Sequence, residues 1–353
     1  MRESLSCTVR HLVPARWAWS LLVPVLLLAA CQPQAERADT ATTPPVGHYE
    51  GTITPAGQPA VRAALDIRHP SPGHYEAELT TPSTGSLSFV ADTIVFVGKQ
   101  MRLKRPARPS QTLTLTLEGD FWRGTLQLDS LRAETLLLKR GMPTPSTYRV
   151  EELPEQNNRS AWLFSPADTG TPGPALVLLP DAAMGPVAAI WADALAREGI
   201  IVLVLPALDS ATTETEAPRL HGALGLLRNT PGADTANVGA WACGSRAGTL
   251  AQLLANPSGT RPAFIVAQNA EIDAVNRAAF REVRRSKIPV LGLHGGKNAS
   301  SQATALRNAL GGSRGAPVRA YRGTGPDLLV PGALGSAFGT GLPDDVLKWL
   351  RSR

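Results

Sequence analysis

Hydrophobic and polar residues alternate along the first third of the chain. The pattern is clearest over residues 112–117, where Leu stands at every second position and Thr between. Similar alternation covers residues 48–53, 63–67, 75–79, 121–128 and 135–138, with turn residues at 70–73, 82–85 and 118–120. Because the side chains of a strand point alternately to its two faces, this pattern predicts a small antiparallel all-β domain over residues 48–140.

The pattern changes after residue 146. Residues 175–179 are continuously apolar, which is typical of a parallel strand buried on both faces. Further strands are predicted over residues 200–205, 237–242, 263–267, 289–293 and 318–321, and helices over 188–198, 217–228, 247–255, 301–310 and 344–350. Strands that alternate with helices predict an α/β domain with a doubly wound, mostly parallel sheet over residues 146–353.

An apolar run over residues 17–30 follows Arg10 and Arg16 and predicts an export signal, because it is too short to span a bilayer comfortably. The run ends in Leu28-Ala29-Ala30-Cys31, which resembles the lipobox of bacterial lipoproteins. The resemblance implies that residues 1–30 are a signal peptide and that Cys31 is lipidated, so that the membrane is a partner. An ordinary cleaved signal, with Cys31 incidental, is the alternative.

Residues 31–47 are polar and rich in Ala, Thr and Pro, which predicts a flexible tether between the anchor and the folded chain. Gln32 follows the lipobox cysteine, at the position where an Asp would suggest retention in the inner membrane. The lipoprotein resemblance therefore implies a location in the cell envelope, at the outer membrane.

Composition and charge exclude several classes of function. The 353 residues are 43% hydrophobic and 5% aromatic and allow two domains. Residues 1–30 carry three Arg and one Glu, so their removal leaves 32 basic and 28 acidic residues, a net charge of +4. The two locally basic stretches, residues 103–108 and 281–287, are expected to be solvated surface, and no nucleic-acid partner is expected. Cys7, Cys31 and Cys243 have neither disulfide-framework nor zinc spacing, and no cofactor or metal is expected.

The main candidate chemistry lies in Cys243-Gly244-Ser245-Arg246-Ala247, which has small residues two positions before and after a serine. The segment resembles the nucleophile elbow of the α/β-hydrolases, whose usual signature is G-x-S-x-G. The resemblance implies Ser245 as the nucleophile. A second register, that of dienelactone hydrolase-like proteins, is counted from Val238-Gly239 and puts Gly244 at the nucleophile position, with Ser245 one residue late. Both registers remain open.

The same resemblance identifies the positions of the other triad members. Residues 287–298 resemble the strand and loop that end in the triad carboxylate, and this position holds Asn298. Residues 321–326 resemble the loop that ends in the catalytic histidine, and this position holds Pro326. An amide cannot stabilise an imidazolium as a carboxylate does, and a serine without a general base is not activated at neutral pH.

Other positions are candidates for binding. Asp181 and Ala182 stand where related hydrolases have His-Gly, so their backbone N–H groups are candidate oxyanion donors. Arg246, inside the elbow, is a candidate ligand contact. The segments Tyr49-Glu50-Gly51, Gly124-Thr125-Leu126 and Leu136-Leu137-Leu138-Lys139-Arg140 resemble an N-terminal β domain found before the hydrolase domain of some Bacteroidetes esterase-like proteins.

Two functions follow from these observations. The first, favoured by the substitutions at positions 298 and 326, is an anchored α/β-hydrolase-fold protein that has lost catalysis and binds a small molecule, a glycan or a protein partner. The second is a serine esterase or acyl hydrolase that uses Ser245 with a relocated base. His294 or His221 would be that base, with Asp209 or Asp327 to orient it.

Overall fold

The computed structural model describes residues 43–81, 87–91, 93–105, 108, 110–142, 147–155, 159–182, 184–208, 212–255, 261–312, 317–332 and 335–353. The predictions for residues 1–42, including the signal segment and Cys31, lie outside these ranges. Each helix in the described ranges is too short or too polar to cross a membrane.

The first sheet has nine strands: β1 (Gly47–Pro55), β2 (Val61–Ser71), β3 (His74–Thr80), β4 (Phe89–Ala91), β5 (Thr93–Val97), β6 (Gln100–Lys104), β7 (Gln111–Glu118), β8 (Phe121–Leu128) and β9 (Leu131–Arg140). All pairs are antiparallel, in the order β4-β3-β2-β1-β9-β8-β7-β6-β5. The alternation seen in the sequence puts the apolar side chains on one face, as period-two strands require.

These apolar side chains form one core around Trp122, whose ring meets Tyr49 and Phe96 edge-on at centroid distances of 6.1 and 6.2 Å. The sheet is bent so closely that a side chain at Gly51 would overlap the Leu136 carbonyl, and one at Gly124 the Thr114 carbonyl. Glycine is therefore required at both positions.

The second sheet has eight strands: β10 (Tyr148–Glu155), β11 (Arg159–Pro166), β12 (Gly173–Leu179), β13 (Ile201–Val204), β14 (Ala233–Cys243), β15 (Ile265–Gln268), β16 (Val290–His294) and β17 (Val318–Ala320). Their order is β10-β11-β13-β12-β14-β15-β16-β17, parallel from β13 to β17 and antiparallel at β10 and β11. Two further strands, β18 (Leu329–Gly332) and β19 (Gly335–Phe338), form a hairpin. The predicted architecture, a mostly parallel doubly wound sheet after an antiparallel β domain, is confirmed.

Six helices cover the second sheet: α1 (Gly185–Ala196), α2 (Thr213–Arg228), α3 (Ser245–Ala255), α4 (Ala274–Arg285), α5 (Ala299–Ala309) and α6 (Asp344–Leu350). Helices α2 to α5 share a core with one face of the sheet, and α1 and α6 share a core with the other. The carboxyl ends of the parallel strands meet at one edge, which is where sheets of this kind bind ligands.

Helix α1 also joins the two sheets. Ile190 packs against the cores of both. Asp193, one turn further along the helix, accepts hydrogen bonds from the buried hydroxyl of Tyr148 on β10 and from Arg62 on β2, the latter at 3.1 Å. Burial and this carboxylate raise the pKa of the Tyr148 hydroxyl, which keeps it a donor at any ordinary pH.

We expect Asp193→Ala to lower the free energy of unfolding by about 1–3 kcal/mol, because it removes the acceptor of a buried hydroxyl. Arg62→Ala should cost less than about 1 kcal/mol, because the arginine is 45% exposed and water screens the ion pair. Urea unfolding of both variants checks the order. A larger loss for Arg62→Ala than for Asp193→Ala would show that the ion pair dominates.

Candidate functional site

The turn between β14 and α3 contains a single residue. Strand β14 ends at Cys243, α3 begins at Ser245, and Gly244 between them has φ +55°. In an α/β-hydrolase elbow, the residue at this turn carries the nucleophile above the sheet. The register that puts Gly244 at the nucleophile position is therefore the one that matches the backbone. Ser245 is the exposed first residue of the helix, one position after the turn, and its assignment as the nucleophile stays a prediction.

The Asp181 carboxylate occupies the space where a side chain at the turn would lie. A Cβ built on Gly244 would overlap Asp181 Oδ2 and would lie 2.9 Å from Asp181 Cγ. The other oxygen, Oδ1, accepts a hydrogen bond from the Met184 N–H at 2.8 Å. The carboxylate is thus held over the turn, and an oxyanion at this point would meet a like charge.

Arg246 is part of the structural framework. It is 3% exposed and donates to the carbonyl oxygens of Pro180 and Leu205, at 2.9 and 2.8 Å, and to Glu216 at 2.5 Å. These bonds join the loop after β12, the loop after β13 and helix α2. The interpretation of Arg246 as a ligand contact is corrected, because its guanidinium lies inside the protein. Ala182 is exposed beside Asp181.

Gln268, a fully buried amide at the end of β15, connects the strand-end loops. Its Oε1 accepts from Trp241 Nε1 at 3.0 Å and from Cys243 Sγ at 3.6 Å. Its Nε2 donates to the carbonyl of Pro326 at 3.0 Å. The next residue, Asn269, donates to the same carbonyl and accepts from the Gly295 N–H at 2.9 Å. The sequence reasoning missed both amides, although they directly follow the strand predicted over residues 263–267.

The two positions assigned to the missing triad partners lie on neighbouring loops. Pro326 is exposed and takes part through its backbone carbonyl. Asn298 is exposed at the start of α5, and its side chain makes no capping hydrogen bond. The Gly296 N–H donates to the Thr324 carbonyl at 2.9 Å, which holds these two loops together. The resemblance described above assigns the acid and the base of a triad to these two loops, and the positions hold an amide and a proline.

The residues considered for a relocated base lie elsewhere. His294 is fully buried. Burial and the Arg307 charge lower the pKa of its ring, and Gln302 of the same helix α5 acts in the opposite direction. His221 is an exposed residue of α2. Asp327 binds the Leu329 N–H through its carboxylate, and Asp209 lies outside the described residues.

Cys243 is not a substitute nucleophile. Its side chain is fully buried, and burial, with the nearby Asp181 charge acting in the same direction, raises the pKa of the thiol above its ordinary value. A protonated, buried thiol is inert. In the described ranges, no group of three or more His, Cys, Asp or Glu side chains is positioned to hold a metal ion.

No family model matches the chain, and no curated protein matches its sequence. Solved structures give weak likenesses. The AtxE2 isopeptidase with Astexin3-dC4 bound is 12% identical with a TM-score of 0.41, over 82% of this chain and 60% of its own. A candidate dienelactone hydrolase from Klebsiella pneumoniae is 15% identical with a TM-score of 0.44, over 59% and 100%. Dipeptidyl peptidase 4 from Porphyromonas gingivalis is 13% identical with a TM-score of 0.42, over 85% and 49%.

The chain thus spans about three fifths of the isopeptidase and half of the peptidase. At these identities and TM-scores the likenesses carry no argument about activity. The assignment of the fold rests on the strand order and helix placement described above.

The overlap at the turn can be measured. We expect Gly244→Ala to destabilise the protein by more than the ~1–2 kcal/mol that a left-handed backbone costs an L residue, because the new Cβ also strikes Asp181. In an Asp181→Ala background, the same substitution should cost only the backbone contribution. Urea unfolding of the four proteins completes the cycle. Equal costs in both backgrounds would contradict the proximity of the carboxylate.

His294 should make the protein sensitive to mild acid. Burial, with the Arg307 charge acting in the same direction and Gln302 opposing, lowers the pKa of His294 from 6.5 to about 4. The unfolded chain therefore binds this proton first, and the free energy of unfolding falls as the pH drops from about 6.5 to about 4, by about 3 kcal/mol over the window. The variant His294→Leu cannot bind this proton. Its free energy of unfolding should therefore fall less than that of the wild-type protein between pH 6.5 and pH 4, as measured by urea unfolding at several pH values. Parallel pH profiles would refute the assignment.

Proposed function

We propose that this chain is a lipid-anchored envelope protein whose α/β-hydrolase fold binds a ligand and does not hydrolyse it. One observation carries the proposal: the residue at the elbow turn is a glycine, and the Asp181 carboxylate fills the space of its missing side chain. A hydrolase of this fold needs a nucleophile at that point. The amide at position 298 and the proline at position 326 support the same conclusion.

The polar groups at the edge where the parallel strands of the second sheet end suit a neutral, hydroxyl-rich ligand such as a glycan. The Ser245 hydroxyl is exposed at the start of α3 and can both donate and accept. The Asp181 carboxylate is partly exposed and accepts hydrogen bonds from hydroxyl groups, whereas it repels anions. Anchoring at the outer membrane through Cys31 would hold this edge within reach of envelope glycans or of small molecules in the same compartment.

The competing function, a serine esterase, requires a base within hydrogen-bond reach of the Ser245 hydroxyl. His294 is fully buried, and His221 is an exposed residue of α2. Neither histidine position favours base catalysis at Ser245. The observation that still supports the esterase hypothesis is the exposed Ser245 hydroxyl at the start of α3.

A fluorophosphonate probe and p-nitrophenyl acetate separate the two functions. Residues 43–353 contain all strands of both sheets and all three hydrophobic cores, so this segment is the folded unit to use. We expect no stoichiometric labelling, and ester turnover no faster than that of Ser245→Ala, because under this proposal no base activates the serine.

A serine esterase labelled in the same reaction shows that the probe is active, and the unfolding curve shows that the segment is folded. Labelling and turnover that disappear in Ser245→Ala would overturn the proposal and establish an activated serine.

A further inference from the structure

One rim of the nine-stranded sheet is defined by the strand register. Strand β1 begins there and β9 ends there, since His48 pairs with Arg140. The β7–β8 turn reaches the same rim, since Phe121 pairs with Leu138 and Glu118. The β5–β6 turn lies beside it, since Gln100 pairs with Thr116 and Val97. The β2–β3 turn lies at the same end, since Gly47 pairs with Ile67 and β2 continues from there to Ser71. We call this end, with residues 46–47, 71–74, 97–100, 118–121 and 139–142, the entry rim.

The entry rim is unusually apolar for an exposed surface. Val46, Val97, Phe121 and Met142 are 47%, 72%, 44% and 82% exposed. These four are among ten large hydrophobic side chains that the described residues leave exposed, and Val95 extends the group along β5. Single exposed apolar residues need no explanation, but a cluster marks a binding surface.

Basic side chains accompany this apolar cluster. Residues 93–108 contain five Lys or Arg and no Asp or Glu. Lys99 lies at the tip of the β5–β6 turn, and Arg102 faces Val95 across the two strands. Glu118 is paired with Arg123, and Glu76 beside the β2–β3 turn lies 3.3 Å from His74. Asp120 is a further exposed acid of the rim. Lys99 and Arg102 directly precede the basic stretch 103–108 and border the exposed valines of β5.

The chain outside the described residues points to what this rim meets. The described chain begins at residue 43, four residues before β1 starts at the rim. If Cys31 carries the lipid, residue 43 is only twelve positions further along the chain, a separation of at most about 40 Å for any backbone conformation. Arg62, which binds α1, pairs with Thr52, further along β1 from the rim. This contact with α1 therefore lies five strand positions from the start of β1 at the rim.

We propose that the entry rim docks on the phospholipid bilayer, with the valine, phenylalanine and methionine side chains in the interface and Lys99 and Arg102 on anionic headgroups. Apolar area in the interface and cationic side chains at the headgroups are the two contributions that hold a peripheral protein on a membrane. The orientation rests on the proposed lipid anchor at Cys31, whereas the affinity of the rim does not. Docking there would point the edge containing Gly244 in a fixed direction relative to the membrane.

Co-sedimentation with vesicles tests the rim without the anchor. Residues 43–353 are mixed with vesicles of phosphatidylcholine alone, or of phosphatidylcholine with about a third phosphatidylglycerol. We expect binding to the anionic vesicles that weakens with added salt. Lys99→Glu with Arg102→Glu should weaken it at least about tenfold, because each cation near the surface contributes roughly a fivefold affinity. Val97→Ser with Phe121→Ser should weaken it on both vesicle types.

The matched control is Arg277→Glu with Arg281→Glu, which makes the same charge change on exposed positions of α4. Equal losses in the control and the rim variant would overturn the proposal, because net charge alone would then explain binding. Absence of wild-type binding to anionic vesicles would also overturn it, and so would self-association in solution abolished by Val97→Ser, which would assign the rim to a second copy.

Anchoring is tested separately, by the distribution of the Cys31→Ser full-length protein between membrane and soluble fractions of cells. A mass spectrum of the full-length wild-type protein from cells that shows Cys31 without an attached lipid, with vesicle binding intact, would refute only the lipid anchor. Loss to the soluble fraction without vesicle binding would refute only the rim.

Discussion

The buried guanidinium of Arg246 sets the geometry of the candidate site. A charge removed from water must be compensated, and this one is compensated by Glu216 of α2 and by the carbonyl oxygens of Pro180 and Leu205. The bond to Pro180 fixes the backbone immediately before Asp181, and the Met184 N–H fixes the Asp181 carboxylate itself. The position of that carboxylate over Gly244 is therefore a consequence of a charge network inside the fold. A chain that keeps this network keeps the elbow closed to a side chain.

The remaining loops of the edge are organised by amides in a similar way. Gln268 and Asn269 both bind the carbonyl of Pro326, and Asn269 also binds the Gly295 N–H. These contacts use backbone groups and uncharged side chains, which suits a surface that presents hydrogen-bonding groups more than one that transfers protons. On the opposite side of the second sheet, α1 contacts both cores, so the nine-stranded sheet has a defined orientation relative to this edge.

The sequence pattern predicted the two sheets because apolar residues alternate with polar ones along the strands of the first sheet and form continuous runs in the strands of the second. It missed β4, β5, β6, β10, β11 and the hairpin of β18 and β19. In β10 only Tyr148 is buried, because the strand lies at the edge of the sheet, and its exposed glutamates interrupt the alternation. It also missed α4, although Asn276, Ala279, Phe280 and Val283 have helical spacing, because the basic residues between them read as solvated surface. The register of the elbow was left open because sequence spacing does not reveal which residue has the left-handed backbone. The role of Arg246 depends on partners 30 to 66 residues away in the chain, which no local pattern contains.

The overlap between Asp181 and the space above Gly244 has an evolutionary consequence. A serine or cysteine at position 244 would collide with the carboxylate, so it is unfavourable while Asp181 remains. Removal of the carboxylate first would leave the Met184 N–H without its acceptor and would bring no chemistry by itself. A single amino-acid substitution at one of these two positions therefore does not give an open turn that carries a nucleophile. The two positions are epistatic: a substitution at either one is disfavoured until the other has changed.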